Sequence, residues 1–363
     1  MNVNSLLQLM IKSGISDIHF KANATPLIRI HGKLLSTKFD KFTPDKIEEL
    51  AFSLMSEEQK AKFMSENELD FSYSVSDVSR FRINVYRQRG TIALSMRVVP
   101  LKVKDFAELN LPVDVLNKLC TESRGLILIT GVTGAGKTTT LNAMVDYINE
   151  NYDYNIVTVE DPIEFYHHDK KSTISQREVG SDTKSFKSAL KYILRQDPDV
   201  IVIGEMRDYE EISAAITAAE TGHLVLSTLH TIDAVQTIDR IMDTYPPHQQ
   251  NQVKTQLSNV LKAVICQRLC FRTDVEERIP AVEVLVGTSL VKKLILENKI
   301  IEITKAMEQG EYYGMKTFDQ DLHKLFKEKK INMEEALDKA ANPEDLMLKL
   351  KGIFQEDNRT AGY

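Results

Sequence analysis

The chain has 363 residues, of which 42% are apolar and 27% are charged, and this composition predicts a globular protein with two domains. Its formal net charge of -6 and its pI of about 5.8 weigh against nucleic acid as the main partner, because surfaces that bind phosphate backbones are normally basic. No apolar run of about 18 residues occurs, so the sequence predicts no membrane-spanning helix and a cytoplasmic protein.

The first part of the chain, residues 1–99, has the pattern of a small α+β domain. A helical run, PDKIEELAFSLM, separates strand-like runs that precede and follow it. Pro100, Pro112 and mixed charges predict that residues 100–113 form a linker. The strand-like runs are SDIHF, PLIRIHGKL, FSYSV, RFRINVYRQ and TIALSMRVV.

The next segment, residues 114–284, has the pattern of a doubly wound α/β core. Four of its runs are apolar on both faces, as parallel strands covered on both sides must be, and amphipathic helical runs alternate with them. Ligands of such sheets bind at the carboxyl ends of the strands. Residues 285–363 read as helices that pack on the core. The four apolar runs are LILIT (126–130), IVTV (156–159), VIVI (200–203) and LVLSTL (224–229).

A phosphate-binding loop follows the first of these strands. The run GVTGAGKTTT fits the pattern G-x-x-x-x-G-K-[ST] and lies between a buried strand and an amphipathic helix. Its glycines let backbone N–H groups point at phosphate oxygens, Lys137 supplies a positive charge, and the Thr138 hydroxyl is placed to ligate Mg²⁺. The sequence therefore predicts binding of ATP and Mg²⁺. The predicted nucleotide-binding residues are Gly131, Thr133, Gly134, Ala135, Gly136, Lys137, Thr138 and Thr139.

Each later strand of the core ends in a polar side chain at the level of this loop. Glu205 follows its strand as a Walker-B acid does, so we expect it to hold Mg²⁺ together with Thr138. Glu164 is the predicted base that activates water, and Glu160 is the alternative. His230 and His223 are predicted to sense the γ-phosphate, although a structural role at a helix–strand junction is the alternative for His223.

A hairpin in the first domain carries two facing arginines. If the turn between RFRINVYRQ and TIALSMRVV centres on Arg89-Gly90, Arg82 and Arg97 are direct cross-strand neighbours. Like charges directly opposite each other are destabilising. The presence of these two arginines at facing positions therefore predicts that they pair with an anion. The alternative is a solvated basic face.

Four motifs, taken in order, resemble those of the secretion-motor ATPases of type IV pili and type II secretion. They are GVTGAGKTTT, VTVEDPIEF, VIVIGEMRD and AETGHLVLSTLHT, and the resemblance runs from about residue 5 to 340. Within this superfamily the chain looks most like the pilus retraction ATPases, the PilT group of twitching motility. It lacks the tetracysteine zinc element of the extension and secretion ATPases. The retraction motif AIR-x-L-I-R-E corresponds here to LVKKLILEN (290–298).

This resemblance implies a fold and a set of roles. The expected fold is an N-terminal PAS-like domain, a RecA-like P-loop ATPase domain and a helical C-terminal extension. By motif position Glu164 corresponds to the catalytic glutamate, Glu205 to the Walker-B acid, and His223 and His230 to the two box histidines. Arg82 and Arg97 correspond to the arginines that complete the nucleotide site when the domains close.

The resemblance also implies partners. We expect a homo-hexamer at the cytoplasmic face of the inner membrane, at the pilus base, with only peripheral membrane contact. The ring would act on the membrane platform protein of the pilus (PilC-like), through which pilin subunits are withdrawn, and a paralogous retraction ATPase is a further expected partner. A nucleic-acid translocase is the second hypothesis, which the acidic charge and the absence of Trp disfavour. A regulatory switch that does not hydrolyse ATP is the third.

Overall fold

A computed structural model describes residues 15–30, 33–75, 79–99 and 103–353, together with residues 7 and 13. The chain divides into two compact units, one of Met1–Lys102 and Glu164–Tyr166, the other of Val103–Ile163 and His167–Tyr363. Residues 100–102 of the predicted linker lie outside the described ranges. The predicted domain boundaries at residues 99, 113 and 284 stay predictions.

The first unit contains a six-stranded antiparallel sheet in the order β3-β2-β1-β6-β5-β4. Side chains of the two helices within residues 33–75, among them Ile47 and Phe63, share one buried cluster with Phe81, Ile83 and Met96 of the strands. The elements are β1 (Ile15–Lys21), β2 (Leu27–Ile30), β3 (Lys33–Ser36), α1 (Pro44–Ser53), α2 (Glu57–Glu66), β4 (Glu68–Val75), β5 (Ser79–Gln88) and β6 (Thr91–Val99).

The hairpin of β5 and β6 has the predicted turn. Arg89 and Gly90 have φ values of +49° and +77°, as a two-residue turn with both central residues in the left-handed region requires. Alternating burial then fixes the register, because a shift of one residue would turn the apolar side chains outward. Arg82 and Arg97 lie directly opposite each other, so this prediction is confirmed.

The second unit contains a seven-stranded sheet in the order β13-β12-β7-β11-β10-β8-β9. All neighbours in it are parallel except the edge pair β12 and β13. Its elements are α3 (Val113–Cys120), β7 (Gly125–Thr130), α4 (Lys137–Asn151), β8 (Asn155–Glu160), β9 (Thr173–Glu178), α5 (Phe186–Ile193), β10 (Val200–Ile203), α6 (Tyr209–Glu220), β11 (Leu224–Leu229), α7 (Ala234–Asp243), α8 (Gln250–Val260), β12 (Leu261–Phe271) and β13 (Arg278–Val286).

The strands of this sheet are buried on both faces, as their unbroken apolar runs predicted. In β7, Leu126 and Leu128 belong to one core, whereas Ile127 and Ile129 belong to the core on the other face. Burial on both sides removes the need for a polar face, which explains the absence of alternation. The predicted mixed α/β fold is confirmed.

Helices follow the last strand. They bury residues such as Val291, Ile303 and Phe318 in the core that also contains Leu126 and Leu128. None of the helices in the described ranges combines the length and apolar character that a membrane crossing needs. The helices are α9 (Ser289–Leu296), α10 (Glu302–Glu308), α11 (Phe318–Lys327), α12 (Met333–Asp338) and α13 (Pro343–Leu350).

Candidate nucleotide-binding site

The predicted phosphate-binding loop connects β7 to α4. A Cβ on Gly131 would lie 2.5 Å from the carbonyl oxygen of Gln267, so only glycine lets the loop pass this close to β12. Gly136 has a φ of +94° and is the N-cap of α4, a conformation that other residues rarely adopt. The sequence therefore produces a tight turn that delivers the chain directly into a helix.

The N-terminus of α4 fits a phosphate group. Helices leave their first N–H groups without partners inside the helix, and these groups attract anions. Among the residues that the structure describes, no side chain caps this terminus. Thr138, next along the helix, is exposed, so its hydroxyl is accessible to a metal ion that accompanies the phosphates.

Lys137 is the cation of this loop. Its side chain is 7% exposed, and its Nζ donates hydrogen bonds to the carbonyl oxygens of Gly131 at 2.8 Å and Val132 at 3.1 Å. Burial lowers the pKa of Lys137, and the carboxylate of Glu205 opposes this effect. The ammonium group is thus held inside the loop, where phosphate oxygens are expected.

Lys137, His230 and Glu205 form a line of contacts at the carboxyl edge of the sheet. His230 Nδ1 lies 3.4 Å from Lys137 Nζ, and His230 Nε2 lies 3.1 Å from Glu205 Oε1. Arg207 Nε is 3.4 Å from the same carboxylate oxygen, and its Nη1 is 3.5 Å from Asp161. The structure therefore brings together the predicted strand-end residues Glu205 and His230 beside the loop.

The segment with Glu205 is held by the start of α6. The side chain of Asp208 accepts the N–H of Glu211, and the buried carboxylate of Glu211 accepts the N–H of Arg207 at 2.7 Å. This reciprocal pattern resembles a capping box and fixes the approach of the chain to the helix. Glu205 lies two residues before Arg207, and the bond to the backbone amide of Arg207 therefore restricts the position of Glu205.

The loop after β11, which begins at His230, is fixed in a similar way. Asp233 caps α7 by accepting the N–H of Gln236 at 2.7 Å, and Glu283 of β13 accepts the N–H of Ala234 at 2.9 Å. Burial raises the pKa of Glu283 to about 7, although the bond from Ala234 opposes the rise. These contacts hold the loop against the neighbouring strand.

The structure separates the two predicted histidines. His223 precedes β11 and His230 follows it, so the six residues of the strand place them roughly 20 Å apart. The Nδ1 atom of His223 lies 2.9 Å from the carbonyl oxygen of Ala218, at the junction of α6 and β11. This environment fits the alternative prediction for His223, which is a structural role at a helix–strand junction.

The two candidate bases have different surroundings. Glu160 is 6% exposed, and its Oε1 accepts hydrogen bonds from the Thr158 hydroxyl at 2.7 Å and the Gln176 amide at 3.1 Å. Glu164 is exposed and groups with the first unit, where its carboxylate is 3.8 Å from Arg82 Nη1. Only Glu164 therefore presents an accessible carboxylate.

Arg97 has a carboxylate partner within its own sheet. Its Nε donates to Asp17 Oδ1 at 2.7 Å, and Ser16 donates to the other oxygen of Asp17 at 2.8 Å. Burial raises the pKa of Asp17, but the hydrogen bonds from Arg97 and Ser16 hold it below its ordinary value. The two facing arginines thus contact different carboxylates, Asp17 and Glu164, and their pairing with a phosphate anion stays a prediction.

Sequence reasoning missed two polar residues of the site. Arg207 bridges Glu205 and Asp161, while Gln267 has its backbone carbonyl beside Gly131 and donates a hydrogen bond of 2.8 Å from its side-chain amide to the Thr140 hydroxyl. A signal for Gln267 existed, since it directly follows the apolar run AVIC and a buried glutamine needs a polar partner. For Arg207 the only signal in the sequence was its position two residues after Glu205.

A glycine-bent loop between a buried parallel strand and a helix, with a lysine, an imidazole and a carboxylate at the same sheet edge, defines a P-loop nucleotide-binding protein. The family model of the type II/IV secretion system proteins matches residues 2–283. The chain therefore belongs to this family.

Individual relatives match nearly the whole chain. The type IV pilus retraction ATPase PilT of Pseudomonas aeruginosa is 40% identical over 345 residues, which are 95% of this chain and 100% of that protein. The type IV pilus ATPase PilU of the same organism is 38% identical over 97% of this chain and 92% of that protein. A crystal structure of the pilus retraction motor PilT with bound ADP matches with a TM-score of 0.89 and 44% identity, covering 96% and 99% of the two chains.

Proposed function

We propose that this chain is the motor that powers type IV pilus retraction. It is an ATPase of the PilT group, and it binds nucleotide. The observation that carries the enzymatic part is the line of contacts from Lys137 through His230 to Glu205, at the edge where the phosphate-binding loop opens. The similarity to PilT over 95% of the chain supports the cellular role.

The proposed chemistry uses the sheet edge as a phosphoryl-transfer site. Backbone N–H groups of residues 131–138 and the ammonium of Lys137 hold the phosphates. Thr138 and Glu205 hold Mg²⁺, which neutralises charge on the phosphates when it is bound. Glu164 orients and deprotonates the attacking water, since its carboxylate is accessible while that of Glu160 is occupied by Thr158 and Gln176.

Two arginines and a histidine complete the proposed reaction. Arg82 and Arg97 offset the negative charge that develops on the phosphates, and arginines in this role are worth roughly 10³–10⁵ in rate in P-loop enzymes. His230 reports whether the γ-phosphate is present, because its ring lies between Lys137 and Glu205 and both contacts change when a phosphate binds Lys137. His223 lies away from this line of contacts, and its proposed role is structural.

The proposed assembly is a homo-hexamer at the cytoplasmic face of the inner membrane. Hydrolysis in each subunit drives a movement that the ring passes to the membrane platform protein of the pilus, from which pilin subunits are withdrawn. The alternative is an accessory retraction ATPase that assists a paralogue. The similarity to PilU over 97% of the chain, close to that with PilT, favours keeping this second candidate.

A deletion of the encoding gene in its own host tests the cellular role. We expect pili to assemble as before but no longer to retract, because the motor for disassembly is missing. The measurement is fluorescence microscopy of labelled pili, with surface pilin quantified after shearing. Complementation with the wild-type gene should restore retraction, and complementation with Lys137→Ala should not.

The other outcomes decide between the candidates. Retraction that persists at reduced force would identify the accessory ATPase. Loss of pili from the surface would contradict both candidates, since it would show that the chain drives assembly.

A further inference from the structure

The segment that carries Glu164 is held at both ends by one strand. The N–H of Ile163 donates to Glu178 Oε2 at 3.1 Å, and the N–H of His167 donates to Gln176 Oε1 at 2.9 Å. Glu178 and Gln176 both belong to β9. The two anchored residues are four steps apart in the chain, and four steps span at most roughly 14 Å. Each anchor therefore restricts where the Glu164 carboxylate can lie.

The ring of His167 connects this segment to the helix of the phosphate-binding loop. Its side chain is 1% exposed, and its Nε2 lies 2.8 Å from Oδ1 of Asn142 on α4. The amide nitrogen of Asn142 donates to the carbonyl oxygen of Thr138 at 2.8 Å, so its oxygen is the end that faces His167. An oxygen only accepts, and Nε2 of His167 must therefore be the donor.

The other edge of the ring faces a carboxylate on the same helix. His167 Nδ1 is 3.6 Å from Asp146 Oδ1, one helical turn after Asn142. Burial raises the pKa of Asp146, but the neighbouring side chains of His167 and Lys170 outweigh burial and hold it below its ordinary value. Among the described residues Nδ1 has no hydrogen-bond partner, and Asp146 lies beside this edge of the ring. Through its bond with Asn142 the ring is fastened to α4, the helix that begins at Lys137.

A buried histidine that only fills space would not need this arrangement. Its polar edges would meet apolar neighbours or backbone groups of its own segment. Here Nε2 bonds a side chain of α4, Nδ1 lies beside Asp146 of the same helix, and the backbone N–H is bonded to β9. The residue thus joins three elements at a point three residues from Glu164, and a shift of any of them moves the end of the segment.

We propose that His167 is a positioning residue for ATP hydrolysis. It fastens the segment with Glu164 to α4, the helix that begins at Lys137, and so holds the end of that segment in place. The inference rests on the proposed role of Glu164 as the base.

The test compares His167→Gln with His168→Gln in the full-length protein. His168 is the adjacent histidine and is exposed, which makes it a matched control. We expect kcat for ATP to fall by roughly 10- to 100-fold in His167→Gln, as small misplacements of catalytic groups do, with little change in KM. The control should stay within about twofold of the wild type. If His167→Gln does not fold, Asn142→Ala removes the partner of the ring instead and should reproduce the loss.

A double variant separates positioning from general destabilisation. In the Glu164→Gln background, His167→Gln should cause no further loss, because residues that act as a unit are not additive. Losses that multiply in the double variant would overturn the proposal. An unchanged kcat in His167→Gln and in Asn142→Ala would also overturn it.

Hydrogen exchange provides a readout that does not depend on activity. The amides of residues 163–167 should exchange faster in His167→Gln, while those in the body of α4 stay protected. Unchanged exchange would overturn the proposal. If Glu164→Gln keeps full turnover while exchange at 163–167 still rises, the base assignment fails and the anchoring by His167 stands.

Discussion

The Lys137→Ala variant is expected to lose ATP turnover by about a thousand-fold or more while the chain remains folded. Its Nζ is the cation inside the loop, held by two loop carbonyls and facing His230. Removing a preorganised charge from a phosphoryl-transfer site costs roughly 10²–10³ in rate even when only one donor is lost. Alanine favours helices, so the start of α4 should survive the change.

The measurement for Lys137→Ala is phosphate release at saturating ATP, together with circular dichroism to verify folding. Lys349→Ala is the matched control, because Lys349 is an exposed lysine in α13. We expect its turnover to equal that of the wild type. Turnover in Lys137→Ala within about twofold of the wild type would contradict the assignment of the phosphate site.

The second large effect is expected for Glu164→Gln. This variant should bind ATP with nearly unchanged affinity but hydrolyse it roughly 10²- to 10⁴-fold more slowly, because glutamine cannot take the proton of the attacking water. The phosphate-binding loop does not contain Glu164, so binding should be retained. Fluorescent-nucleotide titration and single-turnover hydrolysis measure the two quantities separately.

Glu160→Gln is the comparison that ranks the two candidate bases. Its Oε1 already accepts from Thr158 and Gln176, and a glutamine oxygen can accept the same two bonds. We therefore expect a much smaller loss than for Glu164→Gln. The reverse ranking would move the base to Glu160, and equal full activity of both variants would exclude both.

The parts of the fold that were predicted from the sequence are those in which burial leaves a local pattern of apolar residues. Strands β7, β8, β10 and β11 were recognisable because burial on both faces leaves unbroken apolar runs. The register of Arg82 against Arg97 was predictable because the turn at Arg89-Gly90 and the alternation of the strands allow one pairing.

Three strands of the core were missed. The helix Gln250–Val260 passes directly into β12 at Leu261, without a glycine or proline to mark the change. Strand β9, with the sequence TISQRE, is polar because it lies at the edge of the sheet and five of its six residues are at least partly accessible. Strand β13 followed a missed strand, so its pairing with β12 was not predicted.

The sequence predicted the placement of site residues that directly follow strands. It did not predict the placement of residues that depends on tertiary contacts. Parallel strands end at a common edge, which is why Glu205 and His230 were expected near Lys137. The pairing of Arg97 with Asp17 and of His167 with Asn142 joins residues far apart in the chain. No local pattern in the sequence indicates such contacts.

The measurement that most directly tests the account is a crystal structure of the full chain with a non-hydrolysable ATP analogue and Mg²⁺. We expect the β- and γ-phosphates to accept hydrogen bonds from the backbone of residues 131–138 and from Lys137 Nζ, with the metal ion between Thr138 and Glu205. A triphosphate bound elsewhere, with this loop empty and Lys137 still bonded to Gly131 and Val132, would contradict it.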